Sequence, residues 1–314
     1  MPHRSMKERI KNALGISDWE YFKKKTKKKI GKLLFRKKYS SSDLVAALAA
    51  MGMNPGDTIF IHSSMMQFYN FTGTAEDFIE QLITYLGPDG TLAMPAFPPH
   101  KYSLCMTCLS ENYHGPEDDV KFDVKQTPSG AGYLTEVFRK YPGVKRSINI
   151  QHSVCAIGKN AQYLVSEHNK SVTCWDKYSP YYKLKLLNAK VFSLGLPKYV
   201  STVIHCAESL LYGKYEYFDQ FFDKSITYNY RDENGQLGTH TMRIGTIERS
   251  PQKKLYIVRK YFAPGMYLRG HLSNLSIRMA DAKYTIDRFV ELARCGIVMY
   301  THPDPKQSNW TPIS

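Results

Sequence analysis

The chain has no apolar run near the ~20 residues that a bilayer-crossing helix needs. It is also short of acidic residues, with 28 Asp and Glu against 43 Lys and Arg in 314 residues. The first absence excludes a membrane-spanning helix. The second leaves a formal net charge of +15, which disfavours polycationic partners and favours anionic ones. The N-terminus has no apolar secretion core, because Lys7, Glu8, Arg9 and Lys11 interrupt it. A cytoplasmic location is therefore expected, with peripheral attachment to the inner face of the membrane as a variant. Cysteine is sparse: six residues, at 105, 108, 155, 174, 206 and 295, read as free thiols rather than a disulfide framework. Cys155 and Cys206 lie in apolar runs and read as packing residues. There is no internal repeat.

The charge is unevenly placed. Residues 1–38 hold fourteen Lys or Arg and three Asp or Glu, a net of +11, which leaves +4 for the rest. Within this extension Ile30, Leu33 and Leu34 share one helical face, and Ile10, Leu14, Trp19 and Phe22 extend the stripe backward. A basic amphipathic segment of this kind suits an anionic membrane surface. The alternatives are a solvated extension or one that packs on a sister subunit in a homodimer. The run lacks a nucleic-acid reader motif, so no nucleic-acid partner is expected.

The chain divides into this basic extension (1–40), a main domain (41–301) and a short tail (302–314). The main domain is long enough to bury a large core, and 43% hydrophobic and 13% aromatic content suit a folded chain. Ser42 or Asp43 is placed to cap a helix over 44–51. A turn at 54–57 leads to a buried strand over 58–61. An amphipathic helix with Phe78, Ile79, Leu82, Ile83 and Leu86 inward follows, and then a strand over 91–94. Strand, helix, strand implies a parallel crossover. Further strands are read at 153–157, 190–194 and 297–300, and helices at 133–140, 202–211 and 286–294. Asn234-Gly235 marks a hairpin between strands at 226–230 and 241–247. The fold expected is α/β: an α/β/α sandwich with a mixed, largely parallel central sheet and a C-terminal β-hairpin elaboration.

Residues 146–158 (Arg-Ser-Ile-Asn-Ile-Gln-His-Ser-Val-Cys-Ala-Ile-Gly) carry the strongest chemical signal. They place His152 at the end of a polar turn, just before an apolar strand. An imidazole there can be braced on one side and face a cleft on the other, with a pKa of about 6.5 suited to taking a proton near neutral pH. Residues 56–64 (ending Ile61-His62-Ser63-Ser64), 86–97, 127–130 (Thr127-Pro128-Ser129-Gly130) and 202–208 accompany it. In this order and spacing the chain resembles the aminoglycoside 3-N-acetyltransferase family over roughly residues 40–300.

The resemblance implies acetyl-coenzyme A as co-substrate and His152 as the general base. It implies that Glu208, from the family's His-x-x-Glu helix, orients that base. His205 lies one turn before Glu208, so either side chain could face the cleft. His62, Ser63 and Ser64 are implied coenzyme A contacts. Thr127, Pro128, Ser129 and Gly130 are assigned to the same ligand, since the loop precedes a helix whose N-terminus suits phosphate, although it lacks the spacing of a P-loop. Glu136 and Arg139 form either an ion pair or part of the ligand site. Two departures bear on the acceptor: Asn149 and Ile150 stand where many members have a histidine and a proline, and Tyr199, Val200 and Ser201 stand where many have an acidic residue or Asn. Asn149, Tyr199 and His205 are therefore assigned to acceptor binding, with Tyr178, Tyr181 and Tyr182 as further surfaces for sugar faces. His100, Cys105, Cys108 and His114 could hold zinc, but the spacing fits no standard finger and the family needs no metal, so none is expected. The overall positive charge favours an anionic acceptor, namely a nucleotide- or lipid-linked amino sugar of surface-glycan biosynthesis. The alternatives are an aminoglycoside antibiotic and a scaffold that has lost catalysis.

Overall fold

The computed structural model describes residues 19–99, 104–105, 108–109, 120–196, 201–245, 254–300, 310 and 312–313. In chain order these form α1 (Trp19–Leu34), α2 (Ser41–Ala50), β1 (Thr58–Ser63), α3 (Ala75–Leu86), β2 (Thr91–Pro95), β3 (Leu104–Cys105), β4 (Cys108–Leu109), β5 (Val120–Asp123), α4 (Tyr133–Lys140), β6 (Lys145–Arg146), β7 (Val154–Gly158), α5 (Ala161–Val165), α6 (Pro180–Leu186) and β8 (Lys190–Leu194). A 3-10 turn, Thr202–His205, then leads into α7 (Cys206–Leu211), α8 (Glu216–Asp219), β9 (Lys224–Arg231), β10 (Leu237–Ile244), α9 (Lys254–Tyr261), β11 (Tyr267–Leu272), β12 (Leu275–Asp281) and α10 (Ala282–Arg294).

Seven strands make the main sheet, in the order β11-β12-β8-β1-β2-β7-β6. The centre is parallel: β1 pairs with β2 on one side and with β8 on the other. The flanking pairs are antiparallel, so the parallel part is confined to three strands. Side chains alternate across the sheet as the pleat requires. Ile59, Ile61, Leu92, Met94, Phe192 and Leu194 join the core under α2, α3 and α4. Phe60, Ala93, Val154, Ala156 and Val191 join the larger core under α5, α6, α7 and α10. Each fully buried Phe, Ile or Leu contributes roughly 1.5–3 kcal/mol, so the two apolar layers hold the sandwich together.

A three-stranded sheet, β10-β9-β5, covers part of the larger core. Its hairpin turns at Asn234 and Gly235 as expected, with Gly235 at φ 83°. Three details differ from the sequence reading. Ser40 caps α2, its hydroxyl taking the Asp43 N–H while Asp43 takes the Ser40 N–H, so the cap falls before the expected pair. The β11–β12 hairpin was not anticipated. The segment 297–300 forms no strand; it follows α10 as irregular chain and delivers Tyr300 to the site.

Candidate active site

The parallel strands β1, β2 and β8 end at one edge of the sheet, and antiparallel β7 begins there. From β1 the chain goes to β2 on one side and later to β8 on the other. The carboxyl ends beside such a switch in strand order form a crevice that ligands use. His62 lies near the end of β1, Phe97 just past β2, His152 just before β7 and Thr202–His205 beyond β8. Topology therefore gathers residues from four distant segments.

The turn carrying His152 is braced from beneath. Oδ1 of Asn149 accepts the N–H groups of Gln151 (3.0 Å) and His152 (2.8 Å). The Ile150 N–H donates to the Tyr228 hydroxyl at 3.1 Å; that hydroxyl lies 2.8 Å from Nδ1 of His240, whose Nε2 lies 2.8 Å from the Ser171 carbonyl. A second relay runs from the Val154 N–H to the Ser147 hydroxyl, on to Nδ1 of His168, and from Nε2 of His168 to the Cys174 carbonyl. Carbonyl acceptors at both Nε2 atoms assign those nitrogens the proton, so each imidazole is neutral with Nδ1 accepting. Burial pushes the His168 pKa down to about 3, against the raising effect of the Cys174 carbonyl. Burial also lowers that of His240.

Arg146 ties this turn to its neighbours. The guanidinium is buried, and it donates to the carbonyls of Val124, Thr127 and Ala96 and to the Ser153 hydroxyl. It lies 4.8 Å from the centre of the Phe122 ring. Burial lowers its pKa to about 10, still far above neutrality. One charged fork thus fixes the β2 exit, the loop at Thr127 and the residue after His152.

His152 itself is half-buried. Its ring meets Trp175 at 4.6 Å, Phe97 at 5.6 Å and Tyr181 at 6.5 Å. Trp175 also stacks on His205, with centroids 4.8 Å apart and planes at 28°. Nδ1 of His205 is 3.2 Å from Oε1 of Glu208 and 3.3 Å from the Tyr300 hydroxyl. Glu208 thus contacts His205 on its own helical turn; it was expected to orient His152.

On the opposite side, Nε2 of the buried His62 accepts the Thr202 N–H at 3.3 Å. Ser63 is buried and Ser64 half-buried. The β1 exit meets the start of α4, since a Cβ built on Gly132 would lie 3.6 Å from the Ser63 carbonyl oxygen. The loop is bonded within itself and to its neighbours. The Thr127 N–H goes to the Asp123 carbonyl, that of Ser129 to Glu136 and that of Gly130 to the Phe97 carbonyl. These amides are engaged, which corrects the expectation that they present donors to phosphate. The start of α4 carries no side-chain cap and remains the better anion site. Glu136 and Arg139 form an ion pair at 2.8 Å. Burial opposes ionisation of Glu136, but bonds from Arg139, the Ser129 N–H and Lys140 hold its pKa down to about 2.

Other assignments also change. Asn149 is fully buried and shapes the turn, so it does not face an acceptor. Tyr181 is fully buried against Phe60 and His168, out of reach of a sugar. Tyr178 and Tyr182 are half-buried. Burial raises the Cys155 thiol to about 12 and the Cys206 thiol well above its ordinary range, so neither is a nucleophile at neutral pH. Tyr199, His100 and His114, and the side chains of Cys105 and Cys108, lie outside the described residues. Among the described residues no group of three or more His, Cys, Asp or Glu could hold a metal ion. Arg146, Trp175 and Tyr300 are the site-forming residues that the sequence reading did not single out.

A half-exposed histidine on a braced turn, at the carboxyl edge of an α/β sheet, is the arrangement of a base-assisted transfer enzyme. Residues 60–294 match the family model described as aminoglycoside 3-N-acetyltransferase. The chain belongs to the aminoglycoside 3-N-acetyltransferase family. It is 30% identical over 173 residues to the SPbeta prophage-derived aminoglycoside N(3')-acetyltransferase-like protein YokD of Bacillus subtilis (strain 168), covering 51% of this chain and 61% of that one. The matches span only about three fifths of the curated relatives' own length. Among solved structures, AAC-IIIb in its binary complex with CoASH superposes with a TM-score of 0.66 at 22% identity, over 82% of this chain and 97% of that one. AAC-VIa bound to sisomicin gives 0.64 at 22% identity, over 82% and 98%. These two likenesses establish the fold.

Proposed function

We propose that the protein transfers the acetyl group of acetyl-coenzyme A to an amine of an aminoglycoside-type amino sugar, with His152 as general base. The carrying observation is His152 itself: half-exposed, on a turn fixed by Asn149, Tyr228, Ser147 and Arg146, at the sheet edge where the β1 exit and the start of α4 converge. Nδ1 of His152 is buried.

The reaction asks little of the protein beyond placement. The amine nitrogen bonds to the thioester carbonyl carbon while His152 takes one N–H proton. The tetrahedral intermediate collapses, the carbon–sulfur bond breaks, and the departing thiolate receives the proton from the imidazolium. No covalent enzyme intermediate is needed. The uncapped start of α4 suits the anionic diphosphate of the coenzyme, and the β1 exit at Ser63 and Ser64 lies beside it. AAC-IIIb binding CoASH supports this side of the reading.

For the acceptor, the relatives' names and the sisomicin complex of AAC-VIa favour an aminoglycoside amine. The case for an anionic, nucleotide- or lipid-linked acceptor rests on whole-chain charge. Most of that charge lies in residues 1–38, and exposed charges beyond about 8–10 Å are largely screened. The local carboxylate is Glu208, buried at the site wall beside His205, and it suits a cation. The test is thiol release from acetyl-coenzyme A with kanamycin, gentamicin, and UDP- and dTDP-linked amino sugars. Turnover with the antibiotics supports the proposal. Turnover with the nucleotide sugars alone moves the acceptor to glycan biosynthesis. No thiol release with any amine removes the transferase reading.

A further inference from the structure

Near its C-terminal end, helix α1 is fastened to the body by its backbone. Gly31 is buried, and a Cβ built there would fall 2.1 Å from Cε2 of Tyr69. Only glycine lets the helix approach that ring so closely. At the helix end, the Asn70 side chain donates to the Lys32 carbonyl at 3.1 Å and to the Phe35 carbonyl, satisfying two otherwise open acceptors. These contacts fix the rotation of the helix.

That rotation turns the apolar side chains of its last turn, and of Phe35 just after it, to solvent. Ile30 is 53% exposed, Leu33 73%, Leu34 73% and Phe35 45%. Lys25, Lys29, Lys32, Arg36, Lys37 and Lys38 are exposed around them. A helix that served only to cover the body would bury its leucines; here glycine makes the contact and the leucines point away.

We infer that this face of α1 docks on an anionic lipid surface. Two driving forces act together on such a surface. Leu33, Leu34 and Ile30 enter the headgroup–acyl boundary, and the ring of cations meets negatively charged headgroups. A second copy of the chain is a poor occupant, because across a two-fold axis the same cations would face one another. A nucleic-acid backbone would satisfy the charge but leave the apolar residues in water. Among the described residues no helix is long and apolar enough to cross a membrane, so the association is peripheral. The inference stands independently of the chemistry proposed for His152.

The experiment is flotation of the full chain with vesicles of phosphatidylcholine alone and of phosphatidylcholine with phosphatidylglycerol. Binding is expected only to the anionic vesicles and is expected to weaken at high salt. Replacing Lys29, Lys32 and Lys37 by Gln should lower it about a hundredfold. The pair Leu33→Ser and Leu34→Ser should lower it at least tenfold, with the circular dichroism spectrum unchanged. The inference is overturned by absence of binding to anionic vesicles, by equal binding to neutral ones, or by binding that ignores the Leu33 and Leu34 substitutions. A dimer in solution that those substitutions dissociate would also overturn it, by giving the face to a second copy.

Discussion

The indole of Trp175 stacks on the imidazole of His205, with centroids 4.8 Å apart and planes at 28°, and His152 lies against the same indole at 4.6 Å. One tryptophan therefore links the proposed base to the His205–Glu208 pair. Trp175→Ala should cost about 3–5 kcal/mol in stability and remove most of the turnover. Trp175→Phe should recover most of the stability, because a ring still fills the space. Urea denaturation and thiol-release rates on the two variants check this. Wild-type turnover in Trp175→Ala would show that the indole plays no part in the site.

Arg146 should behave as a residue that positions others. Arg146→Met leaves the carbonyls of Val124 and Thr127 without its donors, while Ala96 keeps the Ser153 hydroxyl, and each buried unpaired group costs about 1–3 kcal/mol. A loss of several kcal/mol is expected. Arg146→Lys keeps the charge but not the fork, so it should fold while raising the KM for acetyl-coenzyme A and lowering kcat together. Steady-state kinetics on the lysine variant separates this from a purely structural role, which would leave both constants unchanged in the folded enzyme.

Asn149 is assigned to the turn and not to the acceptor. Asn149→Ala removes the acceptor of the Gln151 and His152 N–H groups. It should lower kcat about tenfold or more while changing the acceptor KM little, since a misplaced base costs rate rather than affinity. A KM rise with unchanged kcat would return Asn149 to the acceptor site.

The two buried histidines set an acid limit. His168 has a folded pKa of about 3 and that of His240 is also lowered, both chiefly through burial, against about 6.5 in an unfolded chain. Between those values the unfolded state binds more protons, so stability rises with pH through the window. The His168 contribution is complete above about pH 6.5 and is lost as pH falls toward 3, and His240 acts in the same direction. His168 alone should contribute a slope approaching 1.4 kcal/mol per pH unit within it. Urea titrations at pH 7 and pH 5 measure this, and His168→Gln should flatten the dependence. An unchanged slope in that variant would place the acid sensitivity elsewhere.

Much of the sheet was legible because its core strands are short apolar runs bounded by turns. The strand over 58–61 extends to Ser63, and those at 91–94 and 190–194 fall within a residue or so of β2 and β8. The helix at 133–140 coincides with α4. The parallel β1–β2 crossover was legible from the strand–helix–strand order, but the antiparallel direction of β7 was not, since its pairing is decided by partners far away in sequence. The β11–β12 hairpin escaped notice although Leu275, Ile277 and Met279 alternate, because it turns at Ser273-Asn274 with Ser273 at φ 53° and lacks an Asn-Gly signature. Within the site, His152 was visible as an imidazole joining a polar turn to a strand. Trp175, against His152, and Tyr300, at His205, arrive from segments without a local motif, and only the packed fold brings them near. Helical spacing put Glu208 and His205 on nearly the same face, and the structure shows them in contact.

The most direct measurement is the rate of thiol release from acetyl-coenzyme A by His152→Ala with an accepted amine, alongside coenzyme A binding by the same variant. The account predicts a fall of about 10²–10⁴-fold in kcat with coenzyme A still bound. Unchanged turnover in the folded variant would contradict it, and the base would have to be sought elsewhere at this edge, beginning with His205.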